Sequence, residues 1–175
     1  MIKKLIIAVV LIAIIGIGGV FYMNSKDNYD ASKYSVKLSD GLKVGSFMTF
    51  TLPDQFDKSH SLDSSIKKLI FVFTKANGHT IREFISSKPK EFMKSSKAFL
   101  IADISGMPVV IRNTFALPDF KKSGYPMGLI YDKNLASILK NSDKAEEIHL
   151  IEVENNRIKK ISYTTDIKDV EKFLK

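Results

Sequence analysis

The chain has 175 residues, 45% hydrophobic and 26% charged, a balance that excludes a disordered tail and is enough for one domain with its own core. It contains no cysteine, which excludes disulfides, thiolate nucleophiles, iron–sulfur ligation and zinc–thiolate sites. The 27 Lys plus Arg outnumber the 19 Asp plus Glu, but only Arg82, Arg112 and Arg157 are arginines, and no basic cluster interleaves with aromatics, so no nucleic-acid partner is expected.

The first element runs from Leu5 to Tyr22 and reads LIIAVVLIAIIGIGGVFY, uncharged and almost wholly apolar. As a helix these 18 residues rise about 27 Å, close to a hydrocarbon core of about 30 Å. Lys3 and Lys4 precede the run, so the positive-inside rule places the N-terminus in the cytoplasm. Residues 24–175 are then expected on the outer face of the membrane. A cleaved signal peptide is the competing reading. Its apolar region is usually about 7–15 residues and ends in small residues, whereas this run ends in Phe21-Tyr22-Met23, which favours an uncleaved anchor. Gly16, Gly18 and Gly19 do not open a dinucleotide fingerprint, because Phe21 stands where the third glycine belongs.

Residues 24–43 are polar and read as a tether with one short strand at 34–38. The domain is expected over residues 44–175. Phe47 to Leu52 alternates toward a strand, and Pro53-Asp54 marks a turn. LIFVF (69–73) suits a buried central strand. Thr80-Ile81-Arg82-Glu83 fits a capping box, which predicts a loop up to His79 and a helix from Thr80. A second helical piece is expected from Pro89 to near Ser96, a strand over 98–104, and a helix over 107–117 with Val110, Thr114 and Leu117 on one side and Ile111 and Phe115 beside them. Gly124-Tyr125-Pro126 leads into a strand at 127–131, after which Asp132-Lys133-Asn134 turns the chain. Residues 148–153 and 158–163 alternate around Asn155-Asn156, a hairpin with a type I′ turn. Asp166 caps a last helix, with Ile167, Val170, Phe173 and Leu174 on its inner face.

The segment VGSFMTFTLPDQFDKSHSL (44–62) followed by LIFVF resembles the opening of thioredoxin-like proteins of the peroxiredoxin and TlpA kind. FALPDFKKSGYPMGLIYDKN (115–134) resembles the stretch in which the thioredoxin cis-proline precedes a core strand and its hairpin. The chain is also similar, through ISGMPVVIRNTFALP, to a cysteine-free group of bacterial exported thioredoxin-like proteins, some described as "FAD/FMN-containing dehydrogenase". The resemblance implies an α/β fold with a mixed sheet flanked by helices, and it implies that the outer face holding residues 24–175 is the periplasmic face of a bacterial inner membrane. It places the position of the redox C-x-x-C at Asn77, Gly78, His79 and Thr80, and a cis-proline edge at Tyr125, Pro126 and Met127. Neither Asn nor Thr forms a thiolate, so thiol–disulfide exchange and cysteine-based peroxidase chemistry have no nucleophile. There is no glycine-rich phosphate loop for a flavin, and no cofactor is expected.

Among the remaining groups, His79 beside Thr80 is the one base–hydroxyl neighbour at a helix start. A helix cap and an exposed loop histidine are the simpler reading. His60, His79 and His149 lack metal spacing, so neither a metal nor a catalytic residue is assigned. Three functions remain open: a redox-inactive domain that binds another exported or membrane protein as an accessory subunit or assembly factor, a non-thiol enzyme or ligand binder using residues 77–80, and a structural subunit held by its membrane helix.

Overall fold

The computed structural model describes residues 2–175; within the first helix, side chains are described at positions 2, 6, 10 and 16–23. Helix α1 spans Ile2–Met23. Among the described residues no helix is long and apolar enough to cross a membrane, so the anchor expected at residues 5–22 stands on the sequence.

Strands β1 (Ser35–Leu38), β2 (Met48–Pro53) and β3 (Ser59–Ser61) pair antiparallel in that order. The strand anticipated inside the tether is therefore paired to the domain, and the folded unit begins before residue 44. Strand β4 (Lys68–Val72) leads into helix α2 (Lys75–Ser86), and a short α3 (Phe92–Ser95) precedes β5 (Ala98–Asp103). A continuous helical stretch follows: α4 (Val109–Ile111), a π-helical turn over Arg112–Ala116, and α5 (Leu117–Phe120). In it the Leu117 amide donates to the Arg112 carbonyl five residues back. Pro118 adjoins the wide turn; it has no amide to donate and its ring crowds the carbonyl four residues earlier, which loosens the coil there. The chain ends with β6 (Met127–Ile130), α6 (Lys133–Leu139), β7 (Ile148–Glu154), β8 (Arg157–Thr164) and α7 (Ile167–Leu174).

The larger sheet runs β6-β5-β4-β7-β8. Its first three strands are parallel and joined by helical crossovers; β7 and β8 run antiparallel. Strand β4 lies in the middle and is apolar at every buried position because both its faces are covered. Leu69 and Phe71 enter a core with β1, β2 and α6, while Ile70 and Val72 enter a second core with α2, α7 and the α4–α5 stretch. A central parallel pair, a closing antiparallel hairpin and helices on both faces make this a thioredoxin-like α/β fold, as the sequence resemblance implies.

Local signals account for most boundaries. Asn155 and Asn156 both take positive φ (48° and 60°), as a type I′ turn demands. The Asp166 carboxylate accepts from the Lys168 amide and caps α7. Asp132, expected in a turn, instead caps α6 by accepting from the Asn134 amide. The start of α2 also differs from expectation. Thr74, not Thr80, is its cap: the Thr74 hydroxyl accepts from the Asn77 amide at 3.2 Å. The Asn77 side chain reaches across 69 residues to donate to the Glu146 carbonyl at 2.9 Å, and this tertiary contact fixes the first turn.

Candidate functional site

The residues anticipated as a loop, Asn77 to Thr80, lie in the first turns of α2 at the C-terminal end of β4. His79 and Thr80 are exposed, and His79 Nε2 lies 3.2 Å from Glu83 one turn further on. His79 therefore engages a carboxylate, and the base–hydroxyl pairing with Thr80 is absent from its contacts. Gly78 faces inward, with Val72 3.9 Å from where a Cβ would stand.

The proline edge is placed differently from the sequence expectation. Pro126 precedes β6, the parallel edge strand beside β5, and not the strand that opens the hairpin. That strand is β7, and it is entered through Glu146-Glu147. The Tyr125–Pro126 bond is trans, since the described chain has no cis peptide. Tyr125 and Met127 are buried and only the proline ring is exposed. Gln55, 1% exposed, closes the edge: its Nε2 donates to the Tyr125 carbonyl at 2.8 Å and its Oε1 accepts from the Met127 amide at 3.0 Å. A side chain already holds these two outward groups, which a peptide strand pairing here would otherwise take. Burial pushes the Tyr125 phenol up to about 12, so it stays neutral at any physiological pH.

The neighbouring Asp54 is equally buried and organises the turn after β2. Its carboxylate accepts from the Phe56 amide at 2.7 Å and the Lys58 amide at 3.0 Å, and meets His60 Nε2 at 2.9 Å. His149 is sealed at the start of β7, where its Nε2 donates to the Lys144 carbonyl at 3.0 Å and its ring packs against Phe73 and Tyr163. Burial holds its imidazole below the ordinary value, although the carbonyl contact pulls the other way. The histidines are thus each absorbed locally, and among the described residues no three His, Asp or Glu side chains converge on a metal position.

What the fold leaves open is a cleft of about 460 Å³ between α2 and the α4–α5 stretch, beyond the C-terminal ends of β4 and β5. Leu100, Ala102 and Ile104 form its floor, and Gly78, His79 and Arg82 line the α2 side. The opposite wall carries Ile111 and Phe115, which are 41% and 57% exposed although both are large and apolar. The Arg82 guanidinium braces the far end: it donates to Asp119 at 2.6 Å and lies 4.8 Å from the centre of the Phe120 ring. That hydrogen bond holds the Asp119 carboxyl below the usual carboxylate range. The cleft is mainly apolar, with Thr74, Lys75, Asp103 and His79 as polar groups on its lining beside the Arg82–Asp119 pair. Of the four residues singled out in the sequence, Gly78 and His79 lie on the lining of this cleft. The exposure of Ile111 and Phe115 had no signal in the sequence, since apolar residues at helical spacing look the same whether or not another element covers them.

No family model and no curated protein matches the chain. Among solved structures it is similar to a peroxiredoxin-like protein from Aquifex aeolicus, with 10% identity, covering 79% of this chain and 90% of that one at a TM-score of 0.49. It is similar as well to the thioredoxin domain of a thiol-disulfide oxidoreductase from Bacteroides vulgatus, with 19% identity, covering 77% and 99% at a TM-score of 0.48. The fold assignment rests on strand order and crossover pattern. The chain is a cysteine-free protein with a thioredoxin-like fold.

Proposed function

We propose that this protein is a membrane-anchored, redox-inactive docking domain: residues 5–22 hold it in a bacterial inner membrane, and the cleft between α2 and α4–α5 takes an apolar segment of another exported or membrane protein. The observation that carries the reading is the exposed pair Ile111 and Phe115 on the wall of an apolar hollow. The hollow sits where a thioredoxin-like fold places its reactive helix, in a chain without a thiol. Large apolar side chains rimming a concave surface mark a place where something else is buried. The anchor part of the reading comes from the uncharged 18-residue run and its flanking lysines.

The test is gentle detergent extraction of the full chain from its native membranes, side by side with Phe115→Asp and with a version whose residues 5–22 are replaced by a foreign hydrophobic helix. A partner that co-purifies at a fixed ratio with the native chain and the helix swap, and is lost with Phe115→Asp, supports docking through the cleft. A partner retained by Phe115→Asp and lost with the swap overturns it in favour of assembly through the membrane helix.

A further inference from the structure

The α4–α5 stretch has two working sides. Ile111, Phe115, Ala116, Asp119 and Phe120 line the apolar cleft. Arg112, Asn113, Leu117, Pro118 and Lys121 line a second, polar cavity of about 740 Å³, whose other wall is the chain that leaves the first helix. That chain is not a loose tether. The Asp27 carboxylate accepts from the Arg112 guanidinium at 2.6 Å, and Arg112 is only 4% exposed. The Asn113 amide donates to the carbonyls of Asn24 and Lys26, both at 3.0 Å. The Tyr29 ring stacks on Tyr131 at 4.8 Å and on Tyr34 at 5.5 Å, and the Arg112 guanidinium lies 4.6 Å from the Tyr131 ring centre.

Arg112 and Asn113 therefore take partners 85 to 89 residues earlier, immediately after α1, while their helical neighbours form the wall of the cleft. The grip falls on the π-helical turn, the one place in this stretch where the hydrogen-bond register can close in two ways. Without Asp27 the buried guanidinium lacks its counter-charge, and the turn that carries it has reason to shift.

We infer that residues 24–34 form a clasp through which the N-terminal helix sets the width of the apolar cleft. The inference rests on the reading of that cleft as a docking site, and it names how the site is regulated. Two sites that grip opposite sides of one element are linked: whatever releases the clasp alters the affinity of the cleft, and an occupant of the cleft alters the clasp by the same factor.

The absence of cysteine gives a clean test in the full chain held in detergent micelles. Ala102→Cys puts one thiol on the cleft floor, and Ala136→Cys puts one in the core on the other face of the sheet. Alkylation by N-ethylmaleimide is timed for each, alone and combined with Asp27→Asn or with Tyr29→Ala, two different ways of loosening the clasp. The expected result is a change of at least about five-fold in the rate at position 102 with either clasp variant, and a rate at position 136 that stays constant. Equal rates at 102 with and without the clasp overturn the inference. A rise at both positions is general loosening of the domain and overturns it too. The labelling needs no partner: a positive result beside intact capture by Phe115→Asp would leave the clasp standing and remove the docking role.

Discussion

The edge at Pro126 and the cleft at Phe115 differ in what the chain has done with exposed binding potential. At Pro126 the backbone groups on either side of the proline are held internally by Gln55, and the flanking Tyr125 and Met127 are buried. At Phe115, apolar surface has been left uncovered in a hollow that no segment of the described chain fills. On the docking proposal, substitutions at the first place should act on folding and substitutions at the second on binding.

The sharpest break is at the sealed edge. Gln55→Ala strands a buried carbonyl and a buried amide together, and chemical unfolding of the full chain should show a loss of roughly 2–4 kcal/mol. A loss below the noise of the measurement would mean that the edge is open to water. Next comes Gly128, in the strand that leaves this edge. A Cβ there would stand 2.9 Å from the Phe99 ring and 3.2 Å from Ile101, so Gly128→Ala should cost about 1–3 kcal/mol by overpacking.

A smaller effect follows from His149. Its folded-state value is lowered, chiefly by burial, so protons bind the unfolded chain more readily. Stability should therefore hold above the ordinary histidine value near about 6.5 and fall as pH drops through it, levelling once the folded form also protonates. Unfolding midpoints compared between neutral and mildly acid pH should show this fall, and His149→Gln should flatten that part of the profile. The smallest stability effect belongs to the cleft: Phe115→Ser should shift stability by no more than about 0.5 kcal/mol, because the ring buries little in the free protein. A large loss would recast Phe115 as a core residue.

Much of the frame was legible in the chain. LIFVF, AFLIADI, the Asn155-Asn156 hairpin and the Asp166-capped helix each carry a period or cap that local physics fixes. The capping box read at Thr80 misplaced the start of α2: Thr74, six residues earlier, is the cap, and the distant contact from Asn77 to Glu146 holds that first turn. Pro126 was misassigned because a proline before an apolar run looks alike whether the strand pairs parallel at an edge or opens a hairpin. Gln55 and Arg112 gave no sequence signal at all. A buried polar residue is recognised by its partners, and theirs lie 70 to 72 and 85 residues away.

On the docking proposal the open cleft, and not the proline edge, meets the partner. Photo-crosslinking in native membranes tests it most directly, with a photoreactive residue placed singly at Phe115, at Pro126 and at exposed Lys159. One defined adduct is expected from position 115 and none from 126 or 159. An adduct from 126 with none from 115 would contradict it.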